Sequence, residues 1–254
     1  MKTYKAFAKV NIFLKITGKT QKGYHTLASR FMVVEDLYDT LYFTTKQQKS
    51  FEIVGDFECS IEQNTIYKAY KALLDFTKEQ KIVTFMQENA IVVEKNIPAF
   101  AGLGGGSSDA ATFLHMLNDT LSLGLTKEEL AQVGLRVGAD VPFFVYGYKS
   151  ANVEGIGEIV SAFDEKPLSL ETFTPKIEIS TPAVYRCYSK EFFAPINNPE
   201  QWLEKNSQTV LEEESLKTAN DLYLPALRLY PHLAEFAKEG WFFSGSGSSF
   251  FRRR

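Results

Sequence analysis

The feature that most restricts this chain is the run from Pro98 to Ser108, which reads Pro98, Ala99, Phe100, Ala101, Gly102, Leu103, Gly104, Gly105, Gly106, Ser107, Ser108. A short β-branched stretch, Ala90 to Glu94, precedes it and an apolar helical pattern, Asp109 to Asn118, follows it. Strand, glycine loop, helix is therefore the local order. Consecutive glycines allow backbone conformations that a side chain forbids, so several N–H groups can converge on one point. The helix behind them adds its free N-terminal donors and the positive end of its dipole. Ser107 and Ser108 add hydroxyls. This chemistry suits a polyphosphate, and a purely structural turn is the competing reading. Two familiar loops are excluded. A P-loop needs Gly, four residues, then Gly-Lys-Ser/Thr, and no such lysine follows; Gly18-Lys19-Thr20 has Phe13 where the first glycine belongs. The dinucleotide fingerprint needs a third glycine where Ser107 stands.

The 254 residues suit one large or two modest domains, and a boundary near residue 150 divides them into 1–150 and 151–254. A net charge of -3 argues against a nucleic-acid partner, and Arg252 to Arg254 read as a solvated basic tail. Cys59 and Cys187 have no CxxC spacing, which fits a reduced cytoplasmic compartment. Lys2, Lys5 and Lys9 precede an apolar stretch interrupted by Asn11 and Lys15, with no cleavage signature, so a signal peptide is not expected. No apolar run approaches the roughly 20 residues needed to span a bilayer, so no membrane partner is expected.

Ala8 to Ile16 alternates with period two and reads as a strand with one buried face. Thr17 to Gly23 reads as a loop, Phe31 to Thr44 and Ser50 to Val54 as strands, and Ile66 to Phe76 as a helix. Thr126 and Glu129 form a capping box for a helix to Val137, stopped by Gly138. Pro142 to Tyr146 and Ile177 to Ser180 read as strands. Thr181 and Pro182 read as N-cap and first helical residue, with helices following at Asn198–Asn206, Thr209–Lys217 and Leu222–Lys238. Trp241 to Phe251 reads as two strands around Ser244-Gly-Ser-Gly-Ser248.

On residues alone, the chemical candidates carry bland readings as well. Lys9 and Asn11 share a strand face, which a solvated surface with Lys15 would also explain. Asp140 could simply satisfy nearby backbone groups. His25, His115 and His232 have no metal-like spacing, so no metal site is expected and His25 alone reads as a surface residue. Tyr185 fits helix packing. Lys95 is a solvated strand end or a nucleotide contact, and Asp109 reads as a stabiliser of its helix N-terminus rather than a metal ligand.

The order and spacing of these segments resemble the GHMP kinases over nearly the whole chain, and the triple glycine with double serine resembles their isoprenoid-pathway branch. Ala8 to Leu14, Gly23-Tyr-His-Thr-Leu27, Pro98 to Ala111, Gly138-Ala-Asp-Val-Pro-Phe-Phe144, Glu154-Gly-Ile-Gly-Glu158, Asn220-Asp-Leu222 and Ser244-Gly-Ser-Gly247 carry the likeness. The resemblance implies an α+β fold. An N-terminal ATP-binding domain contains a left-handed βαβ crossover, against the usual handedness, and a ferredoxin-like C-terminal domain is shortened at its end. It also implies ATP and Mg2+ as cofactors. The expected activity is phosphorylation of a hydroxyl on a small substrate bearing cytidine diphosphate, by a cytoplasmic monomer or homodimer. In that frame Asp140 accepts the hydroxyl proton while Lys9 holds the aspartate and neutralises charge, a division of labour that suits a loose phosphoryl-transfer transition state. Asn11 positions, Lys95 and Pro98 to Ser108 hold the nucleotide, and Tyr24, His25 and Tyr185 read the cytosine. Other readings stay open. They are a homoserine, mevalonate or sugar kinase, which would lack a use for Tyr24, His25 and Tyr185, and a non-catalytic ATP-binding regulator, against which Lys9 and Asp140 count.

Overall fold

The structure, a computed structural model, describes residues 2–254. The chain gathers into two compact units, each built from separated segments. The first unit takes the chain up to Ala8, Asp36–Ala99 and Gly105–Gly147; the second takes Lys9–Glu35, Phe100–Gly104 and Tyr148–Arg254. Two long strands, β1 (Tyr4–Lys19) and β2 (His25–Thr45), pair with each other and contribute to both.

In the first unit, β2 pairs antiparallel with β4 (Asn89–Glu94), from Thr40 opposite Glu94 to Thr45 opposite Asn89, and the short β3 (Ile53–Val54) runs parallel to β4. Five helices accompany these strands: α1 (Thr65–Thr77), α2 (Gln80–Glu88), α3 (Gly105–Thr120), α4 (Lys127–Leu135) and α5 (Val141–Tyr146). Each boundary of α1 has a visible cause. The Asn64 side chain accepts the Ile66 N–H at 2.9 Å, and Lys78, at φ 57°, closes the last turn onto the Leu74 carbonyl. Its Ile66, Ala69, Tyr70 and Leu73 lie one above another and are buried, a spacing of three and four residues that puts one face into the core. Leu73, Leu114 and Leu117 are all fully buried there, each contributing about 1.5–3 kcal/mol of apolar burial. The Thr126–Glu129 capping box starts α4 as expected.

In the second unit, β2 pairs antiparallel with β5 (Ser150–Gly155), and β5 with β6 (Ile159–Ala162). A separate antiparallel sheet has the order β7 (Leu170–Phe173), β9 (Phe250–Arg253), β8 (Phe242–Phe243). The helices are short: α6 (Thr181–Cys187), α7 (Glu200–Leu203), α8 (Ser207–Glu213), α9 (Leu216–Ala219) and α10 (Tyr223–Leu229), with a π-turn at Tyr188–Phe192 and a 3-10 turn at Pro231–Phe236.

Several local expectations are corrected. Pro142 to Tyr146 lies in α5, a helix that starts after Asp140 and carries Pro142 in its first turn, where a missing N–H costs nothing. Its run Pro-Phe-Phe-Val-Tyr has strand-like composition, and so short an apolar run has no resolvable period. Ile177 to Ser180 forms no strand. Helix α3 starts at Gly105 rather than Asp109, so Asp109 lies beyond its first turn. Strand β1 continues through Lys19, and from Ala8 to Leu14 both of its faces are buried. The helix expected over Thr209–Lys217 breaks where Ser215 caps a new one with Thr218, and that over Leu222–Lys238 breaks at Tyr230, before a proline that cannot continue the ladder. The N-cap of α6 is Ser180. Helix α2 and strands β5 to β7 are elements that the sequence patterns above do not indicate.

Candidate functional site

In the second unit, three segments far apart in sequence are tied together. Lys9 and Asn11 do share one strand face, and that face is buried: they are 3% and 2% exposed. The Lys9 ammonium donates to Asn11 Oδ1 at 2.8 Å and to the Gly102 carbonyl at 3.2 Å, and lies 4.3 Å from the Phe31 ring centre. Asn11 Nδ2 donates to Ser29 Oγ at 2.9 Å, and Ser29 to the Phe13 carbonyl at 2.5 Å. Ser244 Oγ donates to the same Gly102 carbonyl at 2.9 Å, while the Lys9 N–H donates to the Leu103 carbonyl and the Ser249 N–H to that of Ala101. Asn220 holds the last segment by donating to the carbonyls of Phe243 and Gly245 at 2.8 and 2.9 Å. Gly102, at φ 74°, is required here, because a Cβ would sit 2.3 Å from the Ser244 carbonyl oxygen. A buried ammonium needs acceptors and gains from a π face, so this cage fixes a positive charge against the glycine turn. Lys15, expected on an open face, is also buried and paired with Asp221, which takes the Ile16 N–H as well.

The neighbouring residue on β2, Arg30, is fully buried. It donates to Asn152 at 2.7 Å and to the Leu203 carbonyl at 2.8 Å, and it pairs with Glu165. Burial lowers its pKa to about 10, against the pull of Glu165.

Gly104, at φ 71°, precedes α3 of the first unit, whose first turn is Gly105, Gly106, Ser107 and Ser108. The first four N–H groups of a helix have no intrahelical partner, so this turn presents donors to an anion. Thr65 Oγ1 donates to the Gly106 carbonyl at 2.6 Å, which anchors α1 to the loop. Pro98 and Ala99 lead into the turn, and Phe100 holds φ 51° while 60% exposed. Asp140 occupies the N-cap position of α5 without capping it by its side chain. Ser107 Oγ lies 3.8 Å from where a Cβ on Gly138 would stand, so the start of α3 and the Gly138–Asp140 segment are neighbours.

Lys95 is not a solvated strand end. Its ammonium pairs with buried Asp39 and with Asp109 Oδ2, the latter at 2.7 Å. Asp39 also accepts the N–H groups of Asn96 and Ile97 at 2.5 and 2.8 Å, whereas Asp109 Oδ1 is buried with no partner. Burial therefore pushes the Asp109 carboxyl up to about 7, with Lys95 opposing. Burial also works against the Lys95 charge, but Asp109 and Asp39 outweigh it and hold its pKa up. Two carboxylates share one ammonium, and the charged form of Asp109, whose Oδ1 has no partner, is the one that burial disfavours.

Of the expected cytosine readers, His25 and Tyr185 meet in the second unit, with ring centres 5.2 Å apart and planes at 34°. Tyr188 and Phe193 complete an aromatic surround, and Lys19 lies 4.6 Å over the Phe193 ring. His25 Nε2 is 2.7 Å from Ser189 Oγ. Burial, then Lys19, lowers the His25 pKa, which disfavours the charged ring. Tyr24 is 62% exposed on the turn closed by Thr20. Ser29, Ser244, Tyr188, Ser189 and Phe193 escaped the sequence reading; only Ser244 stood in a recognisable motif. Among the described residues, no group of three or more His, Cys, Asp or Glu side chains is placed to hold a metal ion, and no helix is long and apolar enough to cross a membrane.

Residues 64–148 match the GHMP kinases N terminal domain. A protein named 4-diphosphocytidyl-2-C-methyl-D-erythritol kinase from Sulfurimonas denitrificans is 56% identical over 258 residues, covering 99% of this chain and 97% of the relative. The crystal structure of a 4-(cytidine 5'-diphospho)-2C-methyl-D-erythritol kinase is similar with a TM-score of 0.77 at 32% identity, over 99% of this chain and 90% of that one. A mevalonate kinase structure is similar at a TM-score of 0.62 and 13% identity, over 100% of this chain and 91% of that one, which is a likeness of fold alone.

Proposed function

Because this chain belongs to the 4-diphosphocytidyl-2-C-methyl-D-erythritol kinase family of the GHMP kinases, with their α+β fold, we propose that it moves the γ-phosphoryl group of ATP to the 2-hydroxyl of 4-diphosphocytidyl-2-C-methyl-D-erythritol. The step belongs to the non-mevalonate route to isoprenoid precursors and runs in the cytoplasm. The observation that supports this most is the Lys9 ammonium, buried and held against the Gly102 carbonyl of the glycine turn.

In this reading the N–H groups of Gly105 to Ser108 and the loop from Pro98 hold the polyphosphate, with Lys95 bracing the base of the loop through Asp109 on α3. Asp140 accepts the proton as the hydroxyl oxygen bonds to the γ-phosphorus and the bond to the β-phosphate oxygen breaks, releasing ADP. Lys9 supplies fixed positive charge to the transferring group, and Asn11 orients that ammonium. Tyr24, His25 and Tyr185 receive the cytosine. Residues 1–150 handle ATP and the proton, and 151–254 complete the recognition of substrate. Mg2+ would enter on the ATP phosphates, with one or two protein carboxylates at most, since no clustered ligands await it among the described residues; it supplies charge neutralisation to the polyphosphate.

The test is a turnover assay with ATP and the cytidylyl substrate, run beside free methylerythritol phosphate. The native protein should turn over the first and scarcely the second. Asp140→Asn should lose about 10²–10⁴-fold in kcat with ATP affinity kept. Equal efficiency on both substrates, or near-normal turnover in the variant, would overturn the reading. The identity to a kinase named for this substrate favours it over a homoserine, mevalonate or sugar kinase and over a non-catalytic regulator.

A further inference from the structure

We propose that Ser29 is a positioning residue for phosphoryl transfer: it fixes which end of the Asn11 amide meets the Lys9 ammonium, and so holds the charge that the reaction uses. This rests on the kinase reading above and gives a task to a residue that reading leaves without one. Lys9 and Asn11 share a face of β1, and Ser29 and Phe31 share a face of β2, the strand paired with it. The two faces meet inside the second unit. The Phe31 ring centre lies 4.3 Å from the Lys9 ammonium, and Ser29 Oγ lies 2.9 Å from Asn11 Nδ2.

An asparagine amide has an acceptor oxygen at one corner and a donor NH2 at the other, and a half-turn about its last bond exchanges them. Here the neighbours on both sides impose their sense on it. On one side is Lys9, whose ammonium only donates, so at 2.8 Å it requires the amide oxygen. On the other side is Ser29, whose hydroxyl has a single proton. That proton goes to the Phe13 carbonyl at 2.5 Å, because a backbone carbonyl only accepts. Towards Asn11 the Ser29 oxygen is therefore an acceptor and requires the NH2 end. The relay has one direction: Lys9 donates to Asn11, Asn11 to Ser29, and Ser29 to the Phe13 carbonyl. A reversed amide would set its NH2 against an ammonium and its oxygen against a serine oxygen whose proton is already used. Lys9, Asn11 and Ser29 are all buried, so solvent does not stand in for a lost partner. The Gly102 carbonyl is farther from the ammonium, at 3.2 Å, and also accepts from Ser244 Oγ, which makes Asn11 Oδ1 the better-placed acceptor of this pair. Without Ser29 Oγ the buried NH2 loses its acceptor, the amide shifts to find another, and the ammonium shifts with it. Small misplacements of a group that acts on the transferring phosphoryl cost rate without costing binding.

The test uses the full chain. Ser29→Ala should lower kcat on ATP and the cytidylyl substrate about tenfold, with both KM values nearly unchanged, and Ser29→Thr, which keeps the hydroxyl, should recover most of the loss. Ser29→Cys, with a weakly bonding thiol of similar volume, is the second disruptive variant should the alanine form fold poorly. Because Ser29 acts through Asn11, adding Ser29→Ala to Asn11→Ala should cost no further kcat. A readout without substrate is the solvent exchange of the Asn11 side-chain amide in a 15N-labelled protein, which should be slow in the native chain and at least tenfold faster in Ser29→Ala. A serine that only supports the fold would lower the urea midpoint and leave kcat per folded molecule unchanged; that result, additive losses in the double variant, or an unchanged amide exchange rate overturns the role given to Ser29. A native protein that does not turn over the cytidylyl substrate instead overturns the kinase reading and the catalytic consequence with it, while the amide exchange still decides whether Ser29 orients Asn11.

Discussion

Replacing Asp109 by asparagine should remove a specific pH dependence of stability. The buried Asp109 carboxyl has one oxygen on Lys95 and one with no partner, and burial lifts its pKa from 3.8 to about 7. Between those values the folded protein holds a proton that the unfolded chain releases. The folded state therefore binds more protons, and stability falls as pH rises. The contribution is fully present below about pH 4 and is lost as pH rises through about 7. From pH 5 to pH 8 the integrated loss is roughly 2–3 kcal/mol, taking about 1.4 kcal/mol for each pKa unit of difference. The amide of Asp109→Asn does not titrate, so the variant should lack that part of the slope whatever its absolute stability. Urea unfolding followed by far-UV circular dichroism at both pH values, on both proteins, gives the double difference. The native protein should lose roughly 2–3 kcal/mol more than the variant on going from pH 5 to pH 8. Parallel profiles would show that Asp109 ionises as an ordinary carboxylate and that the orphaned oxygen has no energetic consequence.

Two further outcomes follow from the same geometry. Gly104→Val places a β-branched side chain at φ 71° before the first turn of α3; it should weaken ATP binding in calorimetry more than binding of the cytidylyl substrate, and unchanged ATP affinity in a folded variant would remove that turn from the nucleotide site. Tyr24→Ala and Tyr185→Ala should each raise KM for the cytidylyl substrate by an amount equivalent to roughly 1–3 kcal/mol while leaving that for ATP nearly alone; equal effects on both constants would argue against base stacking.

Local signals in the sequence determined a good part of this protein. The period of two from Ala8 to Ile16 set a strand on which Lys9 and Asn11 share a face, and their side chains do meet at 2.8 Å. The capping box at Thr126 set the start of α4, and the two strands around Ser244–Ser248 form where they were read. These rules hold because backbone geometry over a few residues decides them. What the tertiary structure alone decided is which polar groups end up buried and with whom. Lys9, Lys15 and Arg30 have the composition of solvated residues, yet they are buried because partners from distant segments, Gly102, Asp221 and Asn152 among them, satisfy their donors. Asp109, four residues into a helix, owes its raised pKa to burial first, with Asp39 adding to it and Lys95 opposing, and its Oδ1 has no partner. His25 met Ser189 only because the chain folded 164 positions back on itself. Hydrogen-bond satisfaction in the interior is a property of the assembled packing, and no window of sequence contains it.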